Sequence, residues 1–268
     1  MAKRDFQDKV IVITGGASGI GLAAARRFAR AGARCALLDM DEASLSRREA
    51  EFREAGCPVM AKACNVTRKA DCDAAISAVT DRFGGIDALF NNAGITQRSR
   101  FAETRTEVYE KVMAVNFFGA LYCTRAAIQS LISRRGIIIV NESIAGVAPL
   151  VGRTGYSASK HALHGLFTSL RAEVRGLGVH VMIVCPGFIR TNLQDRALGP
   201  DGEVTRRPQS TLGRQQTAES AADAIYRGAC RERNLLVLTA MGKIGYMVSR
   251  IAPIFYERQM ARAFRAEL

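Results

Sequence analysis

Several things are scarce in this chain of 268 residues, and each scarcity removes a class of function. It has no tryptophan, and aromatic residues make up 7 % of it. No aromatic and basic residues interleave to form a stacking platform, and no zinc-finger, RRM or KH-type pattern occurs, so a nucleic-acid-binding module is excluded. No apolar run approaches the roughly 18 residues of a spanning helix. The opening stretch "MAKRDFQDKV" lacks the apolar core of a secretory signal. Seven cysteines lie between Cys35 and Cys230 without a CxxC pair. An odd, scattered set forms neither a disulfide framework nor a zinc site, and buried thiols in a reducing cytoplasm are expected. Acidic residues are also short, 25 against 38 Lys and Arg, giving a net charge of +13. That bias admits three readings: solubility, attraction to anionic partners such as nucleotides, or adhesion to a membrane surface.

What remains is ordinary globular composition, 48 % hydrophobic and 24 % charged. The length suits one α/β domain with a sizeable core. Short β-branched runs, "DKVIVIT" first, alternate with helical stretches along the chain. The runs are continuously apolar rather than alternating, as in a parallel sheet covered on both faces. The fold class is therefore α/β, a doubly wound sheet of about seven strands within residues 1–240. Residues 188–217 are polar, punctuated by Pro and Gly, and too long for an ordinary connection, which suggests a substrate loop. Residues 241–268 form a tail. Ile244, Met247, Val248 and Ile251 follow a helical template, Pro253 interrupts it, and Arg258, Arg262 and Arg265 form a basic stripe. The tail is expected to dock on its own domain or on a partner subunit. The alternative is an apolar cover over the substrate cleft, with its arginines touching anionic lipid.

Between the first strand and the first helix lies "TGGASGIG", residues 14–21. In that context Gly15, Gly19 and Gly21 let backbone approach a phosphate, and the helix N-terminus supplies N–H groups. The stretch lacks the Lys-Ser/Thr ending of a P-loop, which excludes the kinase and ATPase reading. The second strand ends at Asp39, where a carboxylate can accept bonds from ribose hydroxyls and repel a 2′-phosphate. Met40 follows it and no cation interrupts the turn, so NAD is expected rather than NADP. Further on, "YSASK" puts Tyr156 and Lys160 four residues apart. On a helix they share a face, which is either a plain solvated face or a phenol beside an ammonium. His161 and His164 are spaced three apart, but no carboxylate or cysteine ligand adjoins them in sequence. Packing or an interface is the expected role, and no metal site is expected.

Together these motifs, with "NNAG" at 91, "NFFG" at 116, Ser143 and "PGFIRT" at 186, occur in the order found in the short-chain dehydrogenase/reductase family. Ser143 and Tyr156 also have that family's separation. The chain resembles the family from about residue 7 to 240. The resemblance implies an oxidoreductase that moves a hydride between NAD(H) and a secondary alcohol or ketone. In it Tyr156 is the acid/base and Lys160 binds the nicotinamide ribose and lowers the phenol pKa. Ser143 bonds the substrate oxygen, and Asn116 holds a water of a proton relay. Cofactor contacts are implied at Gly15, Ser18, Gly19, Ile20, Gly21, Asp39, Asn65, Val66, Asn92, Ala93, Gly94, Tyr156, Lys160, Pro186, Gly187, Ile189 and Thr191, with Asn91 holding neighbouring strands together. Asn65 stands where the family has Asp, and Glu142 precedes the serine where a small, hydroxylic or apolar residue is usual. The expected substrate is hydrophobic, steroid- or lipid-like. A 3-oxoacyl thioester reductase, a polyol dehydrogenase and a catalytically silent NAD(H)-sensing scaffold are the alternatives. A homodimer or homotetramer is implied, built on a four-helix contact between subunits.

Overall fold

The computed structural model describes residues 4–207 and 215–265; the part of the substrate loop at 208–214 and the last three tail residues lie outside the described residues. Seven parallel strands form one sheet in the order β3-β2-β1-β4-β5-β6-β9. They are β1 (Val10–Thr14), β2 (Arg34–Asp39), β3 (Val59–Ala63), β4 (Ala88–Asn91), β5 (Ile137–Asn141), β6 (His180–Cys185) and β9 (Leu235–Val237). The order reverses between β1 and β4, so a crevice opens beyond the carboxyl ends of these two strands.

Both faces of the sheet are buried, and the strand period of two divides the side chains between them. Val10 and Val12 of β1 join one core with α3 (Lys69–Phe83), α5 (Gly119–Ser133) and α6 (Thr154–Val174). Ile11 and Ile13 join the other with α1 (Gly19–Ala29), α2 (Glu42–Glu54) and α7 (Ala218–Cys230). Since each side chain is apolar whichever way it points, the strands read as unbroken hydrophobic runs.

Helix α4 (Thr106–Met113) leads into α5 through a π-helical segment, Ala114–Phe118. The inserted turn widens the coil around buried Asn116. The region 188–217 is less irregular than expected. Ile189–Arg190 (β7) and Gln216–Thr217 (β8) pair in parallel, and Leu198 is buried against Val108 and Val112.

The tail folds as two helices, α8 (Ala240–Ile251) and α9 (Pro253–Ala263), with Pro253 in the first turn of the second. It docks on its own domain, but with the face opposite to the apolar template. Gly242 is buried, close to Thr239, Val237 and Ile144, and Tyr246 packs on the core. Tyr256 Oη donates to the Ala148 and Pro149 carbonyls at 3.1 Å, and buried Phe264 meets Phe188. Glycine and tyrosine let this side approach closely, which leaves the branched and thioether side chains outside.

Candidate active site

The loop after β1 enters helix α1 with Gly15 and Gly19 at φ of +63° and +53°. A Cβ on Gly15 would lie 3.0 Å from the Ala93 Cα, so only glycine lets the turn lie against the loop after β4. Ser18 is the N-cap of α1 but makes no side-chain cap bond, and the first turn contains no acid. The helix therefore presents unsatisfied N–H groups and a partial positive charge to the crevice, the environment a pyrophosphate needs. Gly15, Ser18, Gly19 and Ile20 line the crevice. Gly21 does not. A Cβ there would come within 2.5 Å of the Asn92 amide nitrogen, closer still to the Gly15 carbonyl, so Gly21 serves the packing behind the turn.

At one end of the crevice lie Asp39, Asn65 and Val66. Asp39 accepts from the Ala17 and Asp41 backbone N–H groups at 3.1 and 3.2 Å, which fixes the carboxylate at the tip of β2. Asn65 Oδ1 is already taken by the Thr67 N–H and hydroxyl, at 3.1 and 2.8 Å. Ala93 and Gly94 follow along the wall. Next to them, Asn92 rather than Asn91 binds the strand ends together. Its Nδ2 donates to the Thr14 carbonyl at 3.0 Å, and its Oδ1 accepts from Asn141 at 2.9 Å. Asn91 turns the other way and donates to Thr124 on α5 at 2.9 Å.

At the other end the crevice reaches Ser143, Tyr156 and Lys160, with Pro186, Gly187, Ile189 and Thr191 along the rim. Ser143 follows β5 and caps a short turn, its Oγ accepting from Ala145 N–H at 3.1 Å. Tyr156 and Lys160 stand one turn apart on α6 and are both buried. Lys160 Nζ donates to the Asn141 carbonyl at 2.8 Å and lies 5.7 Å from the Tyr156 ring centre. Burial lowers the lysine pKa to about 8, against an opposing pull from Glu142. The tyrosine behaves differently from the expectation of a depressed phenol. Burial pushes its pKa up and the negative Glu142 adds to that, while the hydrogen bond with Ser143 and the charge of Arg153 oppose it.

The family model for short chain dehydrogenase matches residues 9–199. The chain belongs to the short-chain dehydrogenase/reductase family. It is 33 % identical over 272 residues to dehydrogenase/reductase SDR family member 7B of Danio rerio, covering 98 % of this chain and 88 % of that one. It is also 33 % identical over 226 residues to 2-(S)-hydroxypropyl-CoM dehydrogenase 3 of Xanthobacter autotrophicus, covering 82 % and 89 %. Among solved structures, a short-chain dehydrogenase/reductase from Burkholderia phymatum in complex with NAD superposes with a TM-score of 0.81 at 25 % identity, covering 96 % of each chain. A short-chain dehydrogenase from Streptomyces avermitilis gives 0.81 at 27 % identity, covering 97 % of each.

In this dehydrogenase/reductase Asn116 does not line the crevice. Its Oδ1 accepts from Ile95 N–H at 2.8 Å and its Nδ2 donates to Ile95 O at 3.0 Å and Ser159 Oγ at 2.9 Å. The amide thus ties the π-helical turn to the wall of the site and has no donor left for a water. One residue was not read from the sequence, and another was read without its partner. Arg153, buried three residues before Tyr156, lines the crevice near the phenol. Glu142, also buried, is 3.0 Å from His164 Nδ1, so the carboxylate that seemed missing beside the histidines is present in space. Among the described residues no three His, Cys, Asp or Glu side chains cluster as metal ligands.

Proposed function

We propose that this chain is an NAD(H)-dependent alcohol dehydrogenase or ketone reductase that acts on an apolar secondary alcohol or its ketone. One observation carries the reading: Ser143, Tyr156 and Lys160 converge at the end of the same crevice whose other end is the glycine turn and the uncapped α1 N-terminus. NAD fits that arrangement, because the turn leaves room only for backbone and Asp39 is held where a 2′-phosphate would be repelled. When bound, the nicotinamide supplies or accepts the hydride.

The chain's own residues handle the proton and the geometry. Ser143 Oγ bonds the reacting oxygen and stabilises charge developing there. Tyr156 exchanges a proton with that oxygen, and the Ser143 bond offsets part of the burial that raises the phenol. Lys160, retained by Asn141, holds a positive charge beneath the site. Ile95, Ile144, Leu150, Phe188 and Leu193 line the mouth, and this wall supports the apolar substrate class over a polyol. The Xanthobacter relative, named for a 2-hydroxypropyl substrate, supports a secondary alcohol. We place the subunit in a homodimer or homotetramer through its two long helical regions, α4–α5 and α6, with Phe118 of the first 41 % exposed. The seven unpaired cysteines suit a reducing cytoplasm.

The test is reduced-nicotinamide absorbance with NAD⁺ and a panel of hydroxysteroids, long-chain secondary alcohols, 3-hydroxyacyl thioesters and polyols. Turnover of the apolar members is expected, with a loss of about 10²–10⁴-fold in Tyr156→Phe while NADH binding is retained. Turnover confined to thioesters or polyols would overturn the substrate class. Silence in a protein that binds NADH, with cellular function intact in Tyr156→Phe, would favour the sensing scaffold.

A further inference from the structure

The tail hairpin presents an apolar ridge to solvent. Met241, Ile244, Met247 and Ile251 are 47 %, 55 %, 59 % and 79 % exposed, and Ile254 and Phe255 at the start of α9 are 64 % and 56 % exposed. At 100° per residue, the four on α8 fall within one 120° stripe, while the inward Gly242 and Tyr246 lie on the opposite side. Lys243 and Arg250 border the stripe on α8. On α9, Arg258 and Arg262 fall between the azimuths of Ile254 and Phe255, further along the helix. Against these four cations the two helices carry one acid, Glu257.

We infer that this ridge is a docking face for an anionic lipid bilayer, entered by the apolar side chains while the rim cations meet the headgroups. Three features choose this occupant. The apolar side chains stand proud of the surface on a ridge, which a fluid bilayer accommodates without a matching groove. Cations border the stripe on the side of Lys243 and Arg250 and continue along α9, the pattern of helices that lie in a membrane interface. A second copy of the chain is disfavoured, because a two-fold contact through this face would set the same cations against each other. No helix among the described residues is long and apolar enough to cross a membrane, so the contact is superficial. The hairpin also packs on Ala148, Pro149 and Phe188, at the mouth of the crevice. Docking would therefore bring the mouth close to a lipid phase.

This inference goes beyond the redox reading and is tested without turnover. The full chain is sedimented with phosphatidylcholine vesicles and with vesicles that also contain phosphatidylserine, at low and high salt. Binding to the mixed vesicles is expected, weakened by salt. Ile251→Ser/Phe255→Ser should lower partitioning at least about tenfold, and each of Arg258→Gln and Arg262→Gln about fivefold. These side chains are exposed, so an unchanged melting temperature is the control for folding. Absence of vesicle binding overturns the inference. So does a fall in the solution mass of the oligomer in Ile251→Ser/Phe255→Ser with vesicle binding unchanged, which would make the ridge a subunit contact.

Discussion

Replacing Glu142 by Gln should move the whole pH optimum of the reaction toward acid. The carboxylate is buried directly before Ser143, shares its charge with His164 at 3.0 Å, and acts on both titrating groups of the site. Burial raises its own pKa, and the bond and charge of His164, then the charges of Lys160 and His161, oppose that rise without cancelling it. The Lys160 charge acts on this carboxylate, and about 6 Å, the spacing of side chains one helical turn apart, serves as the scale of their separation. At an effective dielectric near 20, such a pair couples by about 2.8 kcal/mol, or roughly two pKa units. Without that charge Lys160 loses its counter-ion, and its pKa falls from about 8. Tyr156 loses a neighbouring negative charge and becomes easier to ionise, so its pKa falls as well. The centre of a two-group bell is the mean of its pKa values whichever group owns each limb. With the lysine moving by up to two units and the tyrosine in the same direction, the centre should move by about one unit. The assay is kcat/KM against pH for wild type and Glu142→Gln. His164→Asn, which removes the hydrogen bond that opposes the rise in the Glu142 pKa, should shift it less with the same sign. A lower melting temperature with an unmoved bell would refute the reasoning and leave the Glu142–His164 pair a packing element.

Asp39→Ala should relax the preference for NAD⁺, raising kcat/KM with NADP⁺ relative to NAD⁺ by about tenfold, since the carboxylate at the tip of β2 would no longer face a 2′-phosphate. Parallel kinetics with the two cofactors check this, and an unchanged ratio would show that Asp39 does not face the ribose. Gly21→Ala forces a methyl into the Gly15 carbonyl and the Asn92 amide. It should destabilise the fold by about 1–3 kcal/mol and weaken NADH affinity, as read by thermal melting and fluorescence titration.

How much of this was legible in the sequence depended on whether the signal was local. The strands were legible because β1, β5 and β6 are apolar on both faces. Their order was not read, since continuous hydrophobic runs carry no record of which neighbour they pair with. The glycine turn and the Tyr156–Lys160 spacing were readable because each is a local device. The division of labour between Asn91 and Asn92 was not. Two identical side chains at a strand end are told apart only by the pleat, and a slip of one residue exchanges core and crevice. The pairing of Glu142 with His164 joins the end of β5 to the middle of α6, a contact that no spacing announces. The tail shows a different limit. Its apolar template was visible, but periodicity tells which side of a helix is oily and nothing of what lies against it. Here the glycine-bearing side took the protein contact.

The π-helical turn at Ala114–Phe118 has a consequence for the wheel on which α4 and α5 would be drawn. A single helical projection from Thr106 to Ser133 loses its phase at this turn. Yet on one 100° clock Val108 and Val112 before it, and Cys123, Ala127 and Leu131 after it, fall within a single arc of about 140°, so the wheel alone gives no sign of the turn. Deleting any one of the five residues would scarcely alter composition or hydropathy. It would let the coil close to ordinary pitch, where four residues turn by about 400°, close to what the wider π-helical turn covers with five. Thr124 would keep its place beside Asn91, while the widened turn that seats Asn116 against Ile95 would be lost. The length of this segment, counted in single residues, is thus as much a part of the site as the side chains that face the crevice.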